Sequence, residues 1–217
     1  MVTATWQASL LDGDPGGGPS ADPGFTGLRR TDLGSGAWIE HVPGWVAGSD
    51  ALLERCLTAL DWGQRHETIQ GQRVRQPRLT ARLHVGEMPD ELAVLDRIAA
   101  LLSARYRIAF ETVGANHYRD GRDSVAWHGD RGHRERLTAT IATVSLGHPR
   151  TFRLRPREGG RSLGLTLGRG DLLVMGGTCQ RTFKHAVPKV ADAGTRVSLG
   201  FRHADPPRPA DPAGRAS

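Results

Sequence analysis

Asp171-Leu172-Leu173-Val174-Met175-Gly176-Gly177 and, after it, Arg196-Val197-Ser198-Leu199-Gly200-Phe201-Arg202 decide how this chain folds. The first is an apolar run of strand length closed by two glycines, and reads as a buried strand ending in a sharp turn. In the second, Arg196, Ser198, Gly200 and Arg202 fall on one face of a strand, because successive side chains alternate. Around these two, further short β-rich segments lie at 110–118, 138–146, 151–154, 163–167 and 182–187, punctuated by Gly, Pro, Asp and Arg. Helical periodicity comes earlier. Ser49 or Asp50 can cap a helix running to Leu60, with Leu52, Leu53, Cys56, Leu57 and Leu60 on one face. A second helix fits 89–106, where Leu92, Leu95, Ile98, Leu102 and Tyr106 recur at spacings of three and four. Helices first and short strands after predict an α+β fold: a double-stranded β-helix (jelly-roll) core with N-terminal helices packed on it.

The 217 residues suffice for one domain with a sizeable core. Residues 12–24, dominated by Gly, Pro and Asp, place a flexible segment at 1–27, and the proline- and alanine-rich stretch at 204–217 reads as a disordered tail. The folded catalytic unit is therefore expected at 28–203, working as a monomer. No run of about 18 apolar residues occurs, and the first residues lack a basic region followed by an apolar one, so a soluble, cytoplasmic protein with no membrane segment is expected. Cys56 and Cys179 belong to no metal-binding cluster and read as buried thiols. A formal charge of +6, nearly all from arginine, is permissive for a polyanionic partner, although an arginine-rich composition also follows from a GC-rich genome.

The chemistry-bearing run is Trp127-His128-Gly129-Asp130. Residues two apart on a strand project from one face, so His128 and Asp130 can reach one metal, with His185 as a distant third ligand. Two histidines and one carboxylate form the facial set that holds iron(II) with open positions for a cosubstrate and dioxygen. In a chain with nine histidines such a pair arises by chance, so its context carries the assignment. Arg196 and Arg202 supply that context. Two planar, bidentate cations on one strand face suit a dicarboxylate. A zinc hydrolase can use the same three ligands, and a non-catalytic nucleic-acid-binding module would need only the arginine surface. The paired arginines favour a dicarboxylate cosubstrate over either. Ser145 sits in Ser-Leu-Gly and not in a Gly-x-Ser-x-Gly elbow, which leaves a serine hydrolase unsupported.

Taken in order, Asn116-x-Tyr118-Arg119-Asp120-Gly121, Trp127-His128-x-Asp130, Ser145-Leu146-Gly147-x-x-Arg150-x-Phe152, Gly170-Asp171 through Gly177, His185-x-x-Pro188 and Arg196 to Arg202 resemble the AlkB-like family of iron(II)- and 2-oxoglutarate-dependent dioxygenases. The resemblance implies Fe(II) held by His128, Asp130 and His185. It also implies 2-oxoglutarate bound by Arg196 and Arg202 with help from Asn116, Tyr118 and Ser198, the last standing where many family members have asparagine. The implied reaction consumes dioxygen and 2-oxoglutarate, hydroxylates an N-linked alkyl carbon of alkylated DNA or RNA, and releases aldehyde, succinate and CO2, as in DNA repair. A protein or small-molecule substrate for the same fold stays open.

Two stretches depart from the family pattern. In the lid at 63–87, Pro77-Arg78-Leu79-Thr80 is followed by Ala81-Arg82-Leu83, where many members place an aromatic to stack on a flipped-out base. Trp62 is an alternative stacker whose competing role is in the core. After Asp130 come Arg131-Gly132-His133-Arg134, where many members are acidic. Arginine cannot accept from an exocyclic amine, so Arg131, Arg134 and Arg136 are candidates for phosphate contact or a solvated charged loop.

Overall fold

The alternation along Arg196–Arg202 divides the molecule into two layers. Val197, Leu199 and Phe201 are fully buried on one face, while Arg196, Ser198, Gly200 and Arg202 occupy the other. The structure is a computed structural model that describes residues 18–69, 72–129 and 137–203, with backbone alone for 67–69 and 72. In chain order its elements are β1 (Ser20–Ala21), β2 (Arg29–Gly34), β3 (Ala37–Val42), β4 (Val46–Ala47), α1 (Ser49–Ala59), β5 (His66–Ile69), β6 (Gln72–Arg75), β7 (Leu79–His84), a 3-10 turn at Asp90–Leu92 and α2 (Val94–Tyr106). Then follow β8 (Thr112–Tyr118), β9 (Val125–His128), β10 (Ile141–Gly147), β11 (Arg150–Pro156), β12 (Leu163–Leu167), β13 (Asp171–Gly177), the single turn α3 (Cys179–Thr182), β14 (Phe183–Val187) and β15 (Arg196–Arg202). No helix among the described residues is long and apolar enough to cross a membrane.

Seven strands form one antiparallel sheet in the order β2-β3-β13-β10-β15-β8-β7, and four form a second in the order β12-β11-β14-β9. One core lies between the larger sheet and the helices: Ala142, Val144 and Leu146 of β10, Leu172 and Val174 of β13, and Val197, Leu199 and Phe201 of β15 meet Leu52 and Cys56 of α1 and Leu95, Ile98 and Leu102 of α2. The alternate residues of the same strands, Ile141, Leu173 and Met175, pack with Phe152, Leu154 and Val187 of the smaller sheet in a second core. The larger sheet is thus covered on both faces, by helices on one side and by the smaller sheet on the other.

The strands expected after residue 110 all form, with ends shifted by a few residues. β13 runs through both glycines rather than turning before them. The Trp38 ring occupies the space a Gly176 side chain would need, and Gly177 adopts a left-handed φ of 63°. α1 is capped neither by Ser49 nor by Asp50: Gly48, at φ 63°, stands at its N-terminus and no side chain caps it. The second helix is broken after Pro89, where a 3-10 turn precedes α2, and Arg107 in the left-handed region closes it.

Residues 18–27, expected within a flexible segment, are instead packed. Ser20–Ala21 pairs with Val46–Ala47. Phe25 is buried, stacks on Trp45 at 5.1 Å and lies under the Arg105 guanidinium at 4.6 Å. Strand pairing, the Trp45 Nε1 bond to the Asp22 carbonyl and one buried aromatic together fix a stretch whose composition signals mobility. The rest of the expected flexible segment, 1–17, and the expected tail at 204–217 lie outside the described residues. Replacing Phe25 by Ala is expected to destabilise the fold by about 3 kcal/mol, the low end for emptying an aromatic site, as read from urea unfolding midpoints. A change below about 0.5 kcal/mol, the level of ordinary surface substitutions, would return this segment to a dangling role.

Candidate active site

Strand register brings the candidate residues together on the face of the larger sheet that meets the smaller one. Ser145, Ser198, Asn116 and Thr80 form one rung across β10, β15, β8 and β7. Arg196 is flanked by Gly147 and Tyr118, and Arg202 by Ile141 and Thr112. Every residue expected to hold 2-oxoglutarate is therefore on two adjacent strands, β8 and β15, and one face.

Arg196 is the most constrained of them. Only 1% of it is exposed. Its Nη2 donates to Ser145 Oγ at 2.8 Å, and its guanidinium carbon lies 5.0 Å from the Tyr118 ring centroid. Nε and Nη1 are buried with no hydrogen-bond partner among the described residues, and no carboxylate there pairs with the guanidinium. Burial pushes its pKa down, Tyr118 opposes the shift, and nearby Arg150 adds to it. Burying an uncompensated cation costs several kcal/mol. Unpartnered N–H groups on a buried guanidinium suit an anion, since a carboxylate accepts charge-assisted hydrogen bonds from such donors. The donor set is thus that of a site for an acidic cosubstrate.

The second arginine is placed by absent side chains. Gly114 and Gly200 are cross-strand partners. A Cβ at Gly114 would stand 2.7 Å from Arg202 Nη1, and one at Gly200 would stand 2.9 Å from it. Arg202 lies across this bare patch and donates from Nη1 to the Gly200 carbonyl at 3.1 Å. Asn116 already has a partner: its Oδ1 accepts from Arg78 Nε at 2.8 Å. The sequence marks Arg78 only as part of the lid stretch. Its contact with Asn116 depends on β7 pairing with β8, which local patterning does not reveal.

His128 and His185 are directly paired across β9 and β14, with ring centroids 4.2 Å apart and the planes at 63°. His185 is buried and lies nearly parallel to Phe152 at 5.4 Å. His128 Nδ1 is 2.9 Å from the Ala126 carbonyl, which can only accept, so Nδ1 donates in this contact and Nε2 is the ring nitrogen available to a metal. Two imidazoles side by side are the donor type that suits iron(II). Asp130, the expected carboxylate ligand, lies outside the described residues, as do Arg131, His133, Arg134 and Arg136. Between the two ligands of the motif, Gly129 passes so close to Arg157 Nη2 that a side chain there would collide.

Arg150, one element of the family pattern, is a brace. Its guanidinium donates to the carbonyls of Asp120, Asp123 and Pro188 at 3.1, 2.9 and 2.7 Å. Asp123 in turn accepts from Arg119 Nε and Nη2, both at 2.8 Å, which holds the loop between β8 and β9. Trp62 packs with the helix-side core beside His117, on the opposite face of the sheet from Asn116, and so is no candidate for stacking a substrate.

A two-layer antiparallel fold carrying paired imidazoles and a buried, unsatisfied arginine defines the class. Residues 58–202 match the 2OG-Fe(II) oxygenase superfamily, and the chain belongs to it. Within the superfamily it is AlkB-like. It is 32% identical over 199 residues to alpha-ketoglutarate-dependent dioxygenase alkB homolog 3 of Rattus norvegicus, covering 82% of this chain and 65% of that protein. It is 31% identical to the Homo sapiens homolog 3, with coverage of 82% and 67%. The DNA oxidative demethylase ALKBH2 of Arabidopsis thaliana is 31% identical over 221 residues, covering 80% of this chain and 69% of that protein. The chain thus spans about two thirds of the length of these relatives. Among solved structures, that of OsALKBH1 superposes with a TM-score of 0.57 at 13% identity, covering 81% of this chain and all of that one, which shows a shared fold.

Replacing Gly114 by Ala is expected to push the Arg202 guanidinium aside. Loss of one charge-assisted bond, about 1.5 to 3 kcal/mol, corresponds to a rise in the 2-oxoglutarate requirement on the order of 10- to 100-fold. Titration of cosubstrate-dependent succinate formation reads this. An unchanged requirement would mean that Arg202 does not hold the cosubstrate.

Proposed function

We propose that this protein is an Fe(II)- and 2-oxoglutarate-dependent dioxygenase that oxidatively dealkylates N-alkylated bases in DNA or RNA. The observation that carries it is Arg196, a buried cation with N–H groups that have no partner among the described residues, on the sheet that faces the one bearing the paired imidazoles. In this reading His128, His185 and Asp130 hold the iron, and Arg196 and Arg202 take the two carboxylates of 2-oxoglutarate, with Asn116, Tyr118 and Ser198 beside them. The strands β8 to β15 contribute β8, β10, β13 and β15 to one sheet and β9, β11, β12 and β14 to the other, which supports the reading of a double-stranded β-helix core.

Bound iron and 2-oxoglutarate supply the oxidising chemistry: dioxygen places one oxygen in succinate, with loss of CO2, and the other in a C–H bond of the alkyl group. The hydroxylated carbon then leaves as an aldehyde and the base regains its N–H. The chain's own residues orient and exclude water. The Ala126 carbonyl fixes the ring of His128, Phe152 fixes that of His185, and Ser145 aims Arg196.

The nucleic-acid substrate is supported by the names of the relatives and by the net charge of +6. A protein or small-molecule substrate is the second reading, favoured by the lid. On β7, Ala81 and Leu83 pack toward the helices, and the residues paired with Asn116, Gly114 and Thr112 on the site's side are Thr80, Arg82 and His84. None offers the large aromatic expected of a base-stacking lid.

Anaerobic addition of Fe(II) and 2-oxoglutarate is expected to give a weak visible charge-transfer band, lost in His128→Ala, Asp130→Ala and His185→Ala. A wild-type protein without the band would sink the oxygenase reading. Aldehyde release from a panel of alkylated single- and double-stranded DNA and RNA then reads the substrate, and silence across the panel would favour the second reading. Arg202→Ala is expected to raise the 2-oxoglutarate requirement while leaving nucleic-acid affinity within about twofold, a difference below 0.5 kcal/mol. The opposite split would move Arg202 to the phosphate surface.

A further inference from the structure

The outward face of the four-stranded sheet carries groups that the chemistry at His128 and His185 does not use. Alternation turns His128, Leu154 and His185 inward, and so turns Trp127, Arg153, Arg155 and Lys184 outward. On that face Trp127, Arg153, Ala186 and Lys189 line an open groove of about 440 Å³. Ala186 is opposite Arg153, and its small side chain leaves the floor low. The Arg155 guanidinium carbon lies over the Trp127 ring at 4.2 Å, and Arg155 stands directly across from Lys184.

Like charges facing across a strand pair destabilise it. Among the described residues no carboxylate pairs with Arg153, Arg155, Lys184 or Lys189. Arg153 and Lys189 beside Trp127 in the groove, with Arg155 over its ring and Lys184 next to Arg155 on the same face, are complementary to a chain of phosphates carrying bases, since phosphate contact releases counterions and ring stacking tolerates any base. Among the described residues β9 is the edge strand of this sheet, so the way from its inward face to its outward face passes round that edge. Trp127 and His128 are adjacent on it and point to opposite sides.

We propose that this groove binds the sugar-phosphate backbone of single-stranded nucleic acid flanking the target base, with Trp127 as a stacking platform. The proposal rests on the nucleic-acid reading above. A strand whose alkylated base reaches His128 continues round the β9 edge and lies along Arg153 and Lys189. A substrate of a few nucleotides would not extend that far.

The test is a double variant, Arg153→Ala with Lys189→Ala, both exposed and neither in the iron or 2-oxoglutarate site. Its thermal melt checks folding. Affinity for an alkylated single-stranded 20-mer, read by fluorescence anisotropy over a salt series, is expected to fall on the order of 25-fold at 0.1 M salt, with the logarithmic salt slope reduced by about 1.4, because two phosphates are no longer neutralised. Aldehyde release from an alkylated trinucleotide is expected to stay within about twofold of wild type, under 0.5 kcal/mol. Equal 20-mer affinity of wild type and variant would overturn the proposal and leave the groove to another partner such as a protein, as would a wild type that binds the 20-mer no better than the trinucleotide. A variant that loses 20-mer affinity in a protein releasing no aldehyde from any substrate would keep the groove and remove the dealkylase reading instead.

Discussion

A guanidinium held away from water, with two of its donors unsatisfied, is the constraint on which this molecule is arranged. Its position requires a sheet buried on both faces, because an arginine on a half-exposed sheet would swing into solvent. The helices α1 and α2 exist, in energetic terms, to cover the outer side of that sheet with Leu52, Leu95, Ile98 and Leu102, and the smaller sheet seals the inner side. Packing that looks like ordinary core construction thus keeps one cation poised. In the proposed reading its electrostatic cost is recovered when a carboxylate of the cosubstrate binds there, so cosubstrate binding and fold stability would draw on the same interaction.

Strand alternation sorts the two jobs without any division into subdomains. Along β15, odd steps build scaffold and even steps carry donors. Along β14, His185 faces inward between Lys184 and Ala186, which face outward. A register slip of one residue would send each set to the wrong layer. The glycines at 114 and 200 belong to the donor set as much as Arg202 does, because their missing side chains make the surface on which its guanidinium lies.

Much of this is legible in the chain. β15 announces its two faces through Arg196, Ser198 and Arg202, and the strands after residue 110 show short β-rich runs between turn residues. The helices are visible in their period, but not their starts, since Gly48 and the break after Pro89 are settled by how the chain enters each helix. β2 and β3 are hidden because Arg29–Gly34 is polar and exposed, and Glu40 and His41 interrupt the apolar pattern of Ala37–Val42. Glu40 is tolerated there because Arg30 and the Tyr106 hydroxyl both donate to it. Phe25 is obscured for a related reason, one aromatic in a stretch whose other residues signal a loop. At the site, the identities of His128, His185, Arg196 and Arg202 can be read from the resemblance. The Arg78 contact cannot, because it joins residues 38 positions apart through a pairing of β7 with β8 that no local pattern encodes.

That contact has a consequence for how the lid and the pocket behave together. Arg78 stands between the β5–β6 hairpin and β7, and it is tied to Asn116 on the strand that also bears Tyr118. In the proposed reading, where Asn116 stands beside the cosubstrate, binding that changes the hydrogen-bonding demand on Asn116 would change the free energy holding Arg78, and by reciprocity displacing Arg78 would change that affinity by the same factor. One hydrogen bond of 2.8 Å would in that way link the segment before β7 to the strand that bears Tyr118.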